Sequence, residues 1–343
     1  MFKSSITLIL FFLVIKHTLC GQSKVVFQRF DNNPIIKPSM LSEKDGGNIA
    51  SPTLIKVPDW VHKKLGKYYL YFAHDNGNYI RLAYANDLKG PWKIHEGGAL
   101  RLEECICRNN KSTASSEINH IASPDVHIDP IKKEIIMYYH CPLENKGTFF
   151  EKNFTQFTLR ASSKDGVVFK SDTVKISDAY FRLFNWKGKY YGITQGGNLF
   201  RSSNPKGKFE PGPNLFAKSS FRSPIRHASV KVVGDNLFIF FTKIGDRPEA
   251  VYVSKVVLNN DWKTWKTAST YLVVEPEKDY EGGHMPFTVS KPGTASKPIR
   301  ELRDPFIFEE NYKWYVLYTV AGEHGIAIGE IHMIDEKILP GTK

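Results

Sequence analysis

Long apolar runs are missing once the first twenty residues are passed. No later segment approaches the ~18 continuous apolar residues of a membrane-spanning helix, so no membrane span is expected. Sustained 3.6-residue periodicity is also missing, which argues against helices as the main architecture. Nowhere do clustered Lys and Arg interleave with aromatics, so no nucleic-acid partner is expected despite a formal net charge of +12. The lysines come singly or in pairs, as at Lys63-Lys64 and Lys132-Lys133, the pattern of solvated turns. Cysteine is scarce, four in 343 residues. No second Cys/His pair stands at finger-like spacing to Cys105 and Cys107, so a structural zinc is not expected.

What is there begins with an address label. Lys3 precedes an apolar run from Ile6 to Ile15, and Cys20-Gly21 makes a small-residue cleavage point, which together have the form of a secretory signal over residues 1–20. Residues 21–343 would then form the secreted, extracellular protein, with the net charge reduced to +10 by loss of Lys3 and Lys16. In an oxidising compartment Cys141 would pair with Cys105 or Cys107, leaving one thiol. Asn110-Lys111-Ser112 and Asn153-Phe154-Thr155 are glycosylation sequons.

One hairpin is written five times. A small or polar residue, often before Pro, leads an alternating apolar strand, a short polar turn and an aromatic-rich second strand. The copies open at Ser51-Pro52, Ser123-Pro124, Asp178-Ala179, His227-Ala228 and Asp304-Pro305. A third strand follows each hairpin, as in Tyr79–Ala85 and Ala250–Ser254, and the turns favour antiparallel neighbours. Repeats of this size bury their faces against one another by radial stacking. The fold expected is all-β, a five-bladed β-propeller over 21–343, closed by an orphan N-terminal strand at residues 24–30. Insertions at 95–122 and 266–300 precede the second and fifth inner strands.

Inner strands of a propeller converge on its axis, so their first residues crowd together. That column reads Ser51, Ser123, Asp178, His227 and Asp304; two residues on it reads Thr53, Asp125, Tyr180, Ser229 and Phe306. Alternate strand residues share a face, so both columns point the same way. Three carboxylates, an imidazole and several hydroxyls, with Arg182, Arg226 and Arg303 close by, make a titratable cluster suited to catalysis. Glu281 and Glu301 precede the fifth inner strand, and the Glu281 loop is long enough to reach over the mouth, although an exposed loop acid is the commoner reading. His74 follows the second strand of the first copy and contacts substrate only if that end of the blade faces the mouth, and Trp60 and Tyr79 would stack on sugar rings. Trp92, at a blade end, fits blade-to-blade packing better.

Over residues 34–330 these motifs resemble the five-bladed propeller glycosidases of the arabinanase, β-xylosidase and fructosidase clan. Ser123-Pro124-Asp125 is similar to that clan's second-blade motif, whose Asp orients the acid, and Arg303-Asp304-Pro305 to the Arg-Asp-Pro of related propeller enzymes. Two positions depart from the clan: Ser51 stands where its first-blade base is Asp, and His227 where its acid is usually Glu. A His acid resembles the propeller hydrolases that release anhydro-galactose from agar oligosaccharides.

The resemblance implies a secreted glycoside hydrolase with a carbohydrate substrate. His227 would be the general acid held by Asp125, and Asp304 the base or charge stabiliser. Ser51, Asp178, Arg182, Arg303, Glu281, Glu301 and His74 would contact substrate. No metal or other cofactor is assigned, although parts of the clan carry an axial calcium ion. The alternative is a propeller that binds glycan without turnover, and Ser51 in the base position speaks for it.

Overall fold

The structure, a computed structural model, describes residues 25–109, 119–143, 155–219 and 224–333. The signal segment and both sequon asparagines, Asn110 and Asn153, lie outside the described residues. Five antiparallel sheets follow one another along the chain, and together they form a five-bladed β-propeller. The first blade is built from Ala50–Lys56, Tyr68–Ala73, Tyr79–Ala85 and Lys93–Arg101. The fourth repeats that plan with Ile225–Val233, Asn236–Lys243, Val251–Val257 and Thr270–Val274. In the fifth, Arg303–Glu310, Lys313–Thr319 and Ile326–Met333 come from the end of the chain, and Val25–Arg29 supplies the outer strand. Phe27 pairs antiparallel with Ile331, so the N-terminal strand closes the ring as expected.

Period-two alternation explains why the strands are apolar on both faces. Leu70 and Phe72 pack toward the fifth blade with Phe306 and Leu317, while Tyr69 and Tyr71 pack toward the second with Val126 and Met137. Each strand therefore lines two cores, one on either side. Similar layers join the remaining blades, with Ile193 against Ile239 and Phe240 against Val316. Of the two pairings left open by the cysteines, the bridge is Cys107–Cys141, and Cys105 is free and buried.

The third inner strand departs from the expected start. It runs Arg182–Trp186, while Ser177–Asp178 pairs with Phe157 and Thr158 as an outer piece of the second blade. The cause is Ile176, fully buried among Tyr138, Phe181 and Phe209, which pins the segment between blades. Asp178 is thereby exposed at the periphery rather than on the axis.

Glu281 also lies elsewhere than expected. It is fully buried at the outer seam, accepting from Arg29 Nε at 2.7 Å, Tyr318 Oη at 2.8 Å and the amides of Glu277 and Lys278, both at 2.9 Å. It clasps the closing strand and does not reach the mouth. Removing one partner of a buried ion pair costs ~3–5 kcal/mol. Because Arg29 stays partly in solvent, Glu281→Ala is expected to lower the unfolding free energy by about 3 kcal/mol, the low end of that range. Urea denaturation of the variant beside wild type measures it.

Candidate active site at the head of the inner strands

Antiparallel pairing brings the first residues of each inner strand beside the last residues of the strand after it. Ala50 faces Ala73, Ala122 faces His140 and Arg303 faces Thr319. Just past those first residues the register shifts in three of these strands, where two residues oppose one. Ser51, Ser123 and Asp304 occupy these bulges with φ of 55°, 51° and 48°. Left-handed backbone at a non-glycine residue costs ~1–3 kcal/mol and collects at functional sites. Pro52, Pro124 and Pro305 take the next place, where the bulge needs no ladder N–H. The repeated Ser-Pro and Asp-Pro pairs are thus the sequence trace of one bulge made three times.

The bulges direct the first column inward. The Ser51 amide donates to Asp304 Oδ2 at 2.9 Å, and the Ser51 and Ser123 hydroxyls are 3.1 Å apart. Asp304 Oδ1 abuts His227 Nδ1, and His227 Nε2 has no protein partner among the described residues. Tyr180 lies between two imidazoles, its ring centroid 4.4 Å from His227 and 4.4 Å from His140.

Burial pushes His227 well below the usual imidazole range, reinforced by Arg226, Arg182, His140 and Arg303. Asp304 works against this, but three guanidiniums and the loss of water oppose one carboxylate. A neutral His227 offers Nε2 as a proton acceptor. The expected role as proton donor does not suit it.

The second column has a different task. Thr53 Oγ1 accepts from the Val126 amide at 3.2 Å, Asp125 Oδ2 from Leu183 at 2.8 Å and Ser229 Oγ from Ile307 at 2.9 Å. Each side chain bonds the backbone of the next inner strand. Asp125 also meets His127 Nε2 at 2.7 Å; burial raises its pKa, but His127, Arg182 and the Leu183 amide hold it below the usual carboxylate range. Among the described residues no hydrogen bond or ion pair joins Asp125 to His227, which Asp304 holds instead. Arg182 is committed to backbone as well, donating to the carbonyls of Ala228 at 2.9 Å and of Ser123 and Pro124 at 3.2 Å.

A buried charge cluster borders this centre. Arg226 forks onto Glu249 at 2.9 and 3.1 Å, and Arg303 binds Glu301 at 2.6 Å and Glu323 at 2.7 Å. Both guanidiniums also reach the carbonyl of Gly293, which fastens the long insertion over the blade ends. Arg303 and Glu301 are thus partners of each other rather than free substrate contacts. His74 turns back on its own loop, accepting from the Asn76 amide at 3.0 Å, and its neighbour Asp75 meets the cluster.

Asp75, His140, Glu249 and Glu323 were missing from the sequence-derived set. Asp75 and His140 stand on or just after second strands, and Glu249 and Glu323 in the turns that lead from second to third strands, which antiparallel pairing places at the mouth; that rule would have found them. Trp92 is buried, with Nε1 donating to Leu88 at 3.2 Å, in keeping with packing. Among the described residues no group of three or more His, Cys, Asp or Glu is placed to hold a metal ion.

Burial likewise holds His140 well below its ordinary value of 6.5. A depressed imidazole contributes stability that is complete above pH 6.5 and lost as pH falls through the folded value, because the unfolded chain then binds the extra proton. His140→Gln is therefore expected to lose less stability than wild type between pH 7 and 5. The difference should approach ~1.4 kcal/mol per pH unit, read from urea midpoints at several pH values. Equal losses in both proteins would mean that His140 protonates within the fold.

No protein-family model matches the chain. Among solved structures, a xylan β-1,4-xylosidase from Bacillus halodurans C-125 superposes with a TM-score of 0.58 at 14% identity, over 89% of this chain and 55% of that one. The chain thus spans about half the length of that enzyme. A GH43 β-xylosidase/α-arabinofuranosidase from a compost microbial metagenome, in complex with xylotriose, gives 0.54 at 15% identity, over 90% and 98%. An N-acetylgalactosamine deacetylase from F. plautii gives 0.54 at 9%, over 86% and 94%. At such identities the shared property is the propeller, which hosts more than one reaction. In sequence, uncharacterized protein R118 of Acanthamoeba polyphaga mimivirus is 36% identical over 331 residues, covering 90% of this chain and 91% of its own length. The chain belongs to the same family as that mimivirus protein.

Proposed function

We propose that the protein is a glycoside hydrolase that cleaves oligo- or polysaccharide at the end of the propeller where the inner strands begin. The observation that carries this is the contact of Asp304 with His227 at the head of the inner strands, beside a buried group of carboxylates. Glycoside cleavage needs a proton for the leaving oxygen and a base for water. Asp304 fixes His227 through Nδ1 and leaves Nε2 to take the proton of an attacking water. The propeller shared with the xylosidases supports a carbohydrate substrate. The Cys107–Cys141 bridge and the N-terminal signal pattern support a secreted, extracellular protein.

Glycan binding without turnover is the second reading. It is favoured by Ser51, which brings an amide and a hydroxyl, and no carboxylate, to the position of the clan's base.

Purified protein offered arabinan, fructan, xylan, β-mannoside and agar-derived oligosaccharides is expected to release reducing ends from at least one. His227→Gln and Asp304→Asn should each lower kcat ~10²–10⁴-fold, the usual contribution of a positioned acid or base. Full activity in both variants would remove the assignment, and saturable binding with no product would establish the second reading.

A further inference from the structure

Two carboxyl groups from opposite ends of the chain meet in the buried charge cluster around Arg303 and Arg226. Ile49 bridges His324 in parallel fashion, its amide donating to the Glu323 carbonyl at 2.7 Å. That bridge sets the lead-in to the first inner strand against the turn that follows Thr319. Glu323, 1% exposed, receives Arg303 Nη1 on Oε1 at 2.7 Å, and Asn48 Nδ2 at 2.5 Å and the Ala295 amide at 3.1 Å on Oε2. The Asn48 orientation follows from the network, since its Oδ1 accepts from the Asp75 amide at 3.0 Å and its NH₂ must face Glu323. All three groups on Glu323 can only donate, so Glu323 serves as an acceptor. The Asp75 carboxyl is hydrogen-bonded to it, and the shared proton falls to Asp75. Asp75 is also the partly exposed member of the pair, and Tyr180, whose ring is tilted at 4.4 Å from that of His227, lies within electrostatic reach of both.

We propose that Asp75 is the proton donor of the hydrolysis, with Glu323 as its positioning residue; this rests on the hydrolase reading above. As the bond from the anomeric carbon to the glycosidic oxygen breaks, the Asp75 proton passes to that oxygen and the leaving sugar departs as an alcohol. Water supplies the new bond to the anomeric carbon and yields its proton to His227 Nε2. Exchange with solvent then returns a proton to Asp75 and removes one from His227.

The electrostatics agree. Burial and the Glu323 charge push the Asp75 carboxyl well above the usual range, while Arg303 and Arg226 pull it down. Tyr180, the adjoining His74 and His324, next to Glu323, are further titratable groups near this cluster. A carboxyl that holds its proton above the usual carboxylate range, together with an imidazole held below its own, gives the two opposite protonation states that this chemistry needs.

Asp75→Asn, Glu323→Gln and wild type are compared on aryl glycosides of the sugar that wild type cleaves, with poor and good leaving groups, across pH. Asp75→Asn should lose ~10²–10⁴-fold on poor leaving groups and much less on a dinitrophenyl glycoside, which needs no proton. It should also lose the alkaline limb of the kcat profile. Glu323→Gln should keep that limb but shift it to lower pH. In parallel, infrared difference spectra should show a protonated carboxyl band at neutral pH that Asp75→Asn removes.

Equal losses on both leaving groups, an unchanged alkaline limb, or no such band would overturn the role of Asp75 while leaving the hydrolase reading in place. A proton-loaded Asp75 in a protein that cleaves no glycoside would instead overturn the hydrolase reading, and this role with it.

Discussion

A side chain two residues into an inner strand hydrogen-bonds the backbone of the next blade, and the rest of the structure depends on that bond. Thr53, Asp125 and Ser229 make it to Val126, Leu183 and Ile307, and the Ser51 amide closes the seam to the fifth blade through Asp304. Inner strands of neighbouring blades share no ladder, so their backbone groups need partners of another kind. Short hydroxyl and carboxylate side chains supply them. The ring is held at its narrowest radius, and the residues one step earlier are left to face one another.

Those earlier residues sit in bulges, and strain there is sustained only because the surrounding sheet over-determines it. Ser51, Ser123 and Asp304 keep left-handed backbone between buried strands on both sides. The same burial separates charge. Arg226 and Arg303 are saturated by Glu249, Glu301 and Glu323, while His227 and His140 stay neutral in a region crowded with guanidiniums. Buried ion pairs add little net stability but set the protonation of what lies beside them. Here the guanidiniums add to burial in keeping His227 neutral.

Much of the fold was legible because repetition and alternation are local properties. The five hairpins, the closing strand and the inward direction of Ser51, His227 and Asp304 followed from strand period and turn chemistry. Asp178 was misplaced because Ile176 anchors its segment to the neighbouring blade, a contact that local pattern does not carry. Glu281 was misplaced for a similar reason: its partner Arg29 is 252 residues away. Asp125 matched a motif in sequence, yet its partners are His127 and the Leu183 amide.

The order of strands, the blade number and the bulges marked by Pro52, Pro124 and Pro305 are written in the chain, since each depends on neighbours a few residues apart. The pairing of Cys107 with Cys141, the contact of His227 with Asp304 and the meeting of Asp75 with Glu323 were decided only by tertiary packing between blades. Proton affinity in a buried cluster depends on desolvation and on charges from every blade at once, and no stretch of sequence holds that sum.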